Sequence, residues 1–357
     1  MKLVITAGGT GGHILPALSV VIELRKQIND LSLLWIGTSR SREEEICQKY
    51  DIDLKILDVI GIKRKLHVSS LFAIFKFIYA VFHMRGYFKN NTPDIIIAFG
   101  GYVCAPVLAA AKSAKIPYYL QEQNSIPGVV NRYYSSNAQC TFLGYPLDKK
   151  WRLKGRSEIT GTPIRKVSGD IEKFNFPETI DKKMPTILIS GGSQGAASMN
   201  ECLIEPVKKF LNSSLQVIWQ TGSYSFDRIS SLFGRFPHCY IFSACDDMYP
   251  YYSIASITIC RSGAGTLSEI AYFGLPCIMI PLPWAAEDHQ WRNAGIVESA
   301  GWGIRIAQDE KCSEKTVKSI QMILKDKNMF ERMSQRALDN SPDDAAKNIV
   351  QKIMEER

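Results

Sequence analysis

The sequence predicts an α/β protein made of two doubly wound, Rossmann-like domains, on three observations. Short β-branched runs alternate with helical patterns along all 357 residues. The pattern restarts midway, so that Leu3-Val4-Ile5-Thr6-Ala7-Gly8-Gly9-Thr10 is echoed by Ile187-Leu188-Ile189-Ser190-Gly191-Gly192-Ser193. The chain is also too long for one compact core, since domains average about 100–200 residues. Strands alternating with helices build βαβ units, and therefore parallel sheets covered on both faces.

In the first half, residues 3–6, 33–36, 54–59, 95–99, 118–120 and 141–143 read as buried strands, separated by helices near 15–28, 41–50, 69–89, 105–114 and 128–135. The second half gives strands at 186–190, 217–219, 240–242, 257–260 and 278–280, with helices near 196–212, 265–273, 288–299 and 313–325. Asp246-Asp247 is expected to open a helix after strand 240–242, because carboxylates favour the positive end of the helix dipole. Residues 154–181 are polar and broken by Pro163 and Pro177, which reads as a linker. The amphipathic segment 343–354 follows Pro342 and is expected to pack back on the first domain. The expected division is 1–163 together with a C-terminal helix at 340–357, and 164–339.

Composition narrows the class. Hydrophobic residues make up 46% and charged residues 22%, an ordinary globular balance rather than a disordered one. The excess of 43 Lys and Arg over 35 Asp and Glu, a net +8, favours anionic partners. Nine scattered cysteines, with no pair at zinc-knuckle or redox spacing, read as reduced structural thiols. The N-terminus enters a strand directly, with no signal-peptide pattern, and no stretch reaches the roughly 18 apolar residues of a membrane span. A cytosolic or peripheral protein is expected.

Glycine loops carry the chemistry. Gly8-Gly9-Thr10-Gly11-Gly12-His13 follows a strand and leads into a helix that Pro16 is expected to help start. Glycines let the backbone approach an anion closely, and the helix N-terminus offers free N–H groups. A dinucleotide fingerprint from Gly9 would need a third small residue where Ile14 stands, and the second strand ends without an acidic residue for a ribose. Three more loops follow strands: Phe99-Gly100-Gly101-Tyr102, Ser190-Gly191-Gly192-Ser193-Gln194-Gly195 and Cys260-Arg261-Ser262-Gly263-Ala264-Gly265-Thr266-Leu267-Ser268-Glu269. The last offers amides for a diphosphate, and Glu269 could accept from a ribose diol. In doubly wound domains ligands lie in the crevice outside the strand carboxyl ends, so four such loops imply two phosphate-bearing ligands facing each other across a cleft.

These residues resemble the MurG family of N-acetylglucosaminyltransferases, which convert lipid I to lipid II in bacterial peptidoglycan synthesis. The motifs are GGTGGH at 8–13, FGGYVCAP at 99–106, QEQNSIPG at 121–128, GTPIR at 161–165, GGSQGA at 191–196, CRSGAGTLSE at 260–269 and DHQWRNA at 288–294. The resemblance covers residue 3 to about residue 300 and implies a two-domain GT-B fold. It implies UDP-N-acetylglucosamine on the second domain, touching Arg165, Ser193, Cys245, Ala264, Gly265, Thr266, Leu267, Ser268, Glu269 and Gln290. Thr10, Gly11, Gly12 and Asn124 would reach the donor from the first domain. The lipid I diphosphate would lie near His13, Gly101, Tyr102 and Asn131. The family often has histidine where this chain has Gln121, which moves the proton-acceptor role to His13 or Glu122.

Transfer from an α-linked donor to a β-linked product is one inverting displacement, needing a base for the muramyl 4-hydroxyl and stabilisation of the leaving UDP. Amides and Arg165 could supply the latter, so neither metal nor cofactor is expected. Asp51-Ile52-Asp53 matches the Asp-x-Asp string of metal-dependent transferases but lies at the far end of the sheet. His13 reads as base, or as acceptor-diphosphate ligand and loop-ordering group. Glu122 reads as base, or as holding its loop through Asn124.

Between Asp58 and Asp94 no acidic residue occurs, while Lys63, Arg64, Lys65, Lys76, Arg85 and Lys89 do. With Phe72, Phe75, Tyr79 and Phe82 they suit docking on an anionic membrane surface; the other reading is a thick core helix with a solvated basic edge. No nucleic-acid motif accompanies the patch. The resemblance implies a peripheral enzyme on the cytoplasmic face of the bacterial plasma (inner) membrane, with cell-wall and division proteins as partners. Other readings are a transferase for a different glycolipid or aglycone, a UDP-N-acetylglucosamine 2-epimerase, or a nucleotide-sensing scaffold.

Overall fold

The computed structural model describes residues 1–9, 11–39, 43–61, 68–166, 171, 173–192 and 195–356. Thr10, Lys63, Arg64, Lys65, Ser193 and Gln194, all singled out above, lie outside the described residues. The chain divides into two compact units, Met1–Arg165 with Asp343–Arg357, and Lys166–Pro342. Arg165 is thus counted with the first.

In the first unit the strands are β1 (Lys2–Thr6), β2 (Ser32–Gly37), β3 (Asp53–Ile56), β4 (Ile95–Ala98), β5 (Tyr118–Glu122), β6 (Thr141–Leu143) and β7 (Ser157–Ile159). They alternate with α1 (Gly11–Gln27), α2 (Glu43–Lys49), α3 (Val68–Asn90), α4 (Cys104–Ala114) and α5 (Val129–Tyr134). The sheet order is β3-β2-β1-β4-β5-β6-β7, with every pairing parallel. Its central strands β1 and β4 are mostly apolar because both faces are covered. Leu3, Ile5, Ile95 and Ile97 belong to the core on one side, and Val4, Ile96 and Ala98 to the core on the other.

The second unit holds β8 (Thr186–Ser190), β9 (Gln216–Gln220), β10 (Cys239–Phe242), β11 (Ile257–Cys260), β12 (Cys277–Met279) and β13 (Gly303–Arg305). Its helices are α6 (Ala197–Leu211), α7 (Ser223–Phe233), α8 (Tyr249–Ile254), α9 (Ala264–Tyr272), α10 (His289–Ala300), α11 (Cys312–Lys325) and α12 (Lys327–Asp339). The order β10-β9-β8-β11-β12-β13 repeats the first sheet's plan, and Ile187, Ile189 and Leu188 again divide between two cores. In both sheets the order reverses between the first and fourth strands, β1 and β4 or β8 and β11. Those are the switch points where doubly wound folds take their ligands.

A final helix, α13 (Ala345–Glu355), returns to the first unit and buries Ile349, Val350 and Ile353 in the core that α1 lines. Polar ties hold its end. Tyr119 Oη donates to Glu356 Oε2 at 3.0 Å, and Arg156 bonds both Glu356 and Glu158.

The structure departs from the sequence reading in several places. Helix α1 begins at Gly11, so Pro16 lies inside it rather than at its start. Proline has no N–H for the Gly12 carbonyl, which costs that turn one bond. Residues 154–165 are no linker: β7 pairs with β6 and extends the sheet. Helix α8 begins at Tyr249, whose N–H donates to Asp247 Oδ1 at 3.0 Å, so Asp247 precedes the helix. Elements β13, α7 and α12 were not anticipated.

Candidate functional site

In the first unit, segments 7–9 and 99–103 leave the adjacent strands β1 and β4 and approach backbone to backbone at Gly8 and Gly101. A Cβ on Gly101 (φ +87°) would stand 2.3 Å from Gly8 O, so only glycine fits. His13 lies in the first turn of α1, and its ring rests on Gly100, where an added Cβ would meet Cδ2 at 2.9 Å. Its Nδ1 is 3.0 Å from Gly8 O. A carbonyl oxygen only accepts, so Nδ1 carries the hydrogen, and in the neutral form of the ring the lone pair lies at Nε2. Gly11 and Gly12 open the same turn. The Tyr102 ring covers Gly9 and Gly61, whose added Cβ atoms would lie 3.9 and 3.5 Å from it.

Glu43, passed over in the sequence, lies fully buried below this loop and accepts from Thr38 N at 2.5 Å. Cβ atoms on Gly8 and Gly37 would strike it at 2.7 and 2.6 Å. Its run of three glutamates reads as an exposed helix start, so only the two facing glycines could have signalled it. Cys104 donates to Gly100 O at 2.9 Å, and burial pushes its thiol up to about 12.

Two residues, one at the end of β5 and one on α5, are turned toward the protein interior. Glu122 is buried and turned inward: Oε1 accepts from Asn124 N (3.0 Å) and Nδ2 (3.3 Å), and Oε2 from Gly128 N and Asn131 Nδ2, both at 2.8 Å. Those four bonds match the other reading of Glu122, a group that holds its loop through Asn124. Asn131, expected to touch the acceptor, is 3% exposed and spends its amide on Glu122 and on Gln121 O. Gln121 is likewise fully buried, with Oε1 accepting from Gln123 Nε2 at 2.6 Å.

In the second unit, Gly191 and Gly195 are held close to their neighbours. A Cβ on Gly195 (φ +75°) would lie 2.6 Å from Gly222 Cα. Loop 261–263 leads into α9 with Gly263 as N-cap, and no side chain among the described residues caps that helix. An uncapped first turn, with its dipole end outward, suits an anion. Helical spacing then sorts the expected donor residues. Ala264, Leu267 and Ser268 face the core and are buried, so what they can offer a ligand is backbone rather than side chain. Gly265, Thr266 and Glu269 share the half-exposed face, and a Cβ on Gly265 would meet nothing within 4 Å. Tyr252 donates its hydroxyl to Glu269; burial first, then that carboxylate, raises the phenol well above its ordinary range.

Arg261, also passed over, is 5% exposed. Its Nη1 donates to Ile280 O at 2.9 Å and Pro281 O at 3.0 Å, and Nη2 to Ser198 Oγ at 3.0 Å. Burial lowers its pKa to about 10. Gln290 Oε1 accepts from Leu282 N at 2.9 Å, and Cys245 donates to Asp247 O at 3.0 Å. Arg165 is half-buried at the unit boundary. Asp51 and Asp53 sit where β3 begins, the end of the sheet opposite the glycine loops. Among the described residues no group of three or more His, Cys, Asp or Glu could hold a metal ion.

On α3, Phe72, Phe75, Tyr79 and Phe82 form an exposed stripe, Phe75 and Tyr79 each 73% exposed, while Ala73, Ala80, Met84 and Phe88 face the core. On the same helix Lys76 Nζ pairs with the exposed Asp58 at 2.5 Å and lies 5.0 Å from the Phe72 ring centre. No helix among the described residues is long and apolar enough to cross a membrane.

Comparison with known proteins matches residues 3–143 to the N-terminal domain of glycosyltransferase family 28 and residues 186–350 to its C-terminal domain. The chain is 34% identical to the UDP-N-acetylglucosamine–N-acetylmuramyl-(pentapeptide) pyrophosphoryl-undecaprenol N-acetylglucosamine transferase of Natranaerobius thermophilus, over 99% of each protein. It is 32% identical to the enzyme of the same name from Acetivibrio thermocellus, over 94% of this chain and 93% of that one. Among solved structures, Acinetobacter baumannii MurG superposes with a TM-score of 0.76 at 27% identity, covering 99% of this chain and 100% of that one. A UDP-N-acetylglucosamine 2-epimerase from Neisseria meningitidis, at 16% identity and a TM-score of 0.70 over 99% of this chain, shares the fold.

Proposed function

The chain belongs to glycosyltransferase family 28 and, within it, to the pyrophosphoryl-undecaprenol N-acetylglucosamine transferases; from that premise we propose that it moves N-acetylglucosamine from UDP-N-acetylglucosamine to the muramyl 4-hydroxyl of lipid I, giving lipid II. The observation that carries the reading is the repeated switch point: each unit has two glycine-containing loops on adjacent parallel strands, shaped for a diphosphate. Two diphosphate ligands are what this reaction uses.

In this reading the lipid I diphosphate rests on loops 8–13 and 99–102, with Gly11, Gly12, Gly101 and Tyr102 around it. His13 Nε2 takes the proton of the muramyl hydroxyl as its oxygen attacks the anomeric carbon from the face opposite UDP. The bond from that carbon to the phosphate oxygen breaks, configuration inverts, and UDP departs with the bonding pair. The first turn of α9 faces the growing negative charge, with Arg165, while Glu269 holds the ribose and the backbone near Cys245 the uracil. Thr10, Asn124, Ser193 and Gln290 complete the donor contacts. The exposed α3 stripe, with Arg85 and Lys89 beside it, docks the enzyme on the anionic cytoplasmic face of the plasma membrane, where a lipid-linked acceptor resides.

Incubation with labelled UDP-N-acetylglucosamine, with and without lipid I, tests the function. Label in lipid II is the expected result. Epimerised nucleotide sugar, or binding with no product when lipid I is present, would overturn it. Glu122 already weighs against epimerisation, since the carboxylate needed to remove a C2 proton is occupied by backbone and amide donors.

A further inference from the structure

The loop after β12 exposes a large apolar side chain that the core does not use. Trp284 is 68% exposed, whereas Trp35, Trp219 and Trp302 are among the most deeply buried side chains of the protein. Nothing about its loop is slack. Arg261 clamps the Ile280 and Pro281 carbonyls, and Leu282 N donates to Gln290 Oε1 at 2.9 Å. Ala285 N reaches Leu282 O at 3.1 Å, and Asp288 N reaches Ala285 O at 2.9 Å, closing two successive turns. Glu287 (φ 53°) and Asp288 (φ 62°) then take left-handed conformations that non-glycine residues rarely adopt.

Trp284 therefore stands on a braced turn tied at both ends to the candidate donor site. One tie is Arg261, two residues before the N-cap of α9; the other is Gln290 on α10. A braced indole offers a large flat face whose orientation is already fixed, so little freedom is lost when a ligand stacks on it. That face is the negative side of the ring quadrupole. The ring of an N-acetylhexosamine carries mostly equatorial substituents, leaving weakly positive C–H groups on its faces to meet such a surface.

We infer that Trp284 is the stacking platform for the hexosamine ring of the donor, a specificity contact with the sugar and not with the nucleotide. The inference rests on reading the second unit as the UDP-N-acetylglucosamine domain. It separates two parts of one ligand: the first turn of α9 and Glu269 serve UDP, and loop 281–290 serves the sugar.

The test uses the full chain, with Trp284→Ala and Trp284→Phe, titrated separately with UDP-N-acetylglucosamine and with UDP by calorimetry. Trp284→Ala is expected to weaken the nucleotide sugar roughly two- to tenfold, the range that aromatic stacking supplies, with UDP affinity and melting temperature unchanged. Trp284→Phe should recover most of the loss. In the unsubstituted protein, UDP-N-acetylglucosamine but not UDP should shift tryptophan emission, and Trp284→Phe should abolish that shift. Equal weakening of both ligands, or of neither, overturns the platform while leaving the donor domain intact. Failure of the unsubstituted protein to bind UDP-N-acetylglucosamine at all would instead overturn the parent reading, and the platform with it.

Discussion

Replacing His13 with asparagine isolates the proton-transfer step. The asparagine Nδ2 can still donate to Gly8 O, as His13 Nδ1 does at 3.0 Å, but no basic nitrogen remains where Nε2 stood. A positioned general base contributes roughly 10²–10⁴ in rate, equivalent to about 3–5 kcal/mol of barrier. The Gly8 hydrogen bond itself is worth only about 1 kcal/mol, and it would appear in stability, not in turnover. The two roles of His13 therefore leave different signatures. Initial rates of label transfer into lipid II, at saturating donor and acceptor, should fall by about 100-fold or more in His13→Asn. Donor KM and melting temperature should stay close to those of the parent. A loss below about tenfold, or an equal loss in turnover and donor affinity, would remove His13 as the base and leave it a binding or loop-ordering group.

Glu122→Gln points an amide hydrogen at a donor that the carboxylate now accepts, so stability should drop by about 1–3 kcal/mol, read as a lower melting temperature, with turnover per folded molecule nearly kept; large inactivation without destabilisation would restore Glu122 as a base. Gly101→Ala forces a left-handed residue, at about 1–2 kcal/mol, and a contact 2.3 Å from Gly8 O, so both melting temperature and turnover should fall. Gly265→Ala meets no atom within 4 Å and sits in a helix; its melting temperature should hold or rise by up to about 1 kcal/mol equivalent, while donor KM rises because the methyl blocks the approach of a diphosphate. Burial pushes the thiols of Cys47, Cys104 and Cys239 up to about 12. They should remain protonated at pH 8, so iodoacetamide followed by mass spectrometry should label them only after unfolding.

The repeated plan was legible because strands buried on both faces are written as unbroken apolar runs. Residues 3–6 and 186–190 needed no context to be read. What escaped lacked that signature. Strand β7 is an edge strand of Ser157, Glu158 and Ile159, held by pairing with β6 and by ion pairs to Arg156 and Lys352. Strand β13 is three residues long and opens with Gly303, whose added Cβ would stand 2.7 Å from Cys277 Sγ and Val297 Cγ1. Within the site, the glycine loops announced themselves, but side-chain direction did not. Residues 264–269 share one motif, yet the helical period turns Leu267 and Ser268 inward and Thr266 and Glu269 outward. Glu122 and Asn131 lie nine positions apart and read as separate polar groups until α5 folds back and joins them.

One plan used twice does not yield two equal halves. The loop after β1 sets an imidazole in the first turn of its helix; the matching loop after β8 leads to Ala196 and Ala197, and Asn200 in the first turn of α6 is buried on Thr221 O and Trp219 Nε1. Among the described residues the imidazole of His13 has no counterpart in the first turn of α6. The buried charges beneath them differ in the same sense. Glu43 lies under the loop where, in the proposed reaction, His13 becomes a cation, and Arg261 lies under the loop where the departing UDP gains further negative charge. Each buried charge is opposite to the one that grows above it, and in surroundings of low dielectric such pairing stabilises charge more than water would. If that is how the fold divides the labour, Glu43→Gln should slow transfer while leaving donor affinity alone, and Arg261→Gln should weaken UDP binding and slow transfer together. The reverse pattern would mean that the two buried charges only brace their loops.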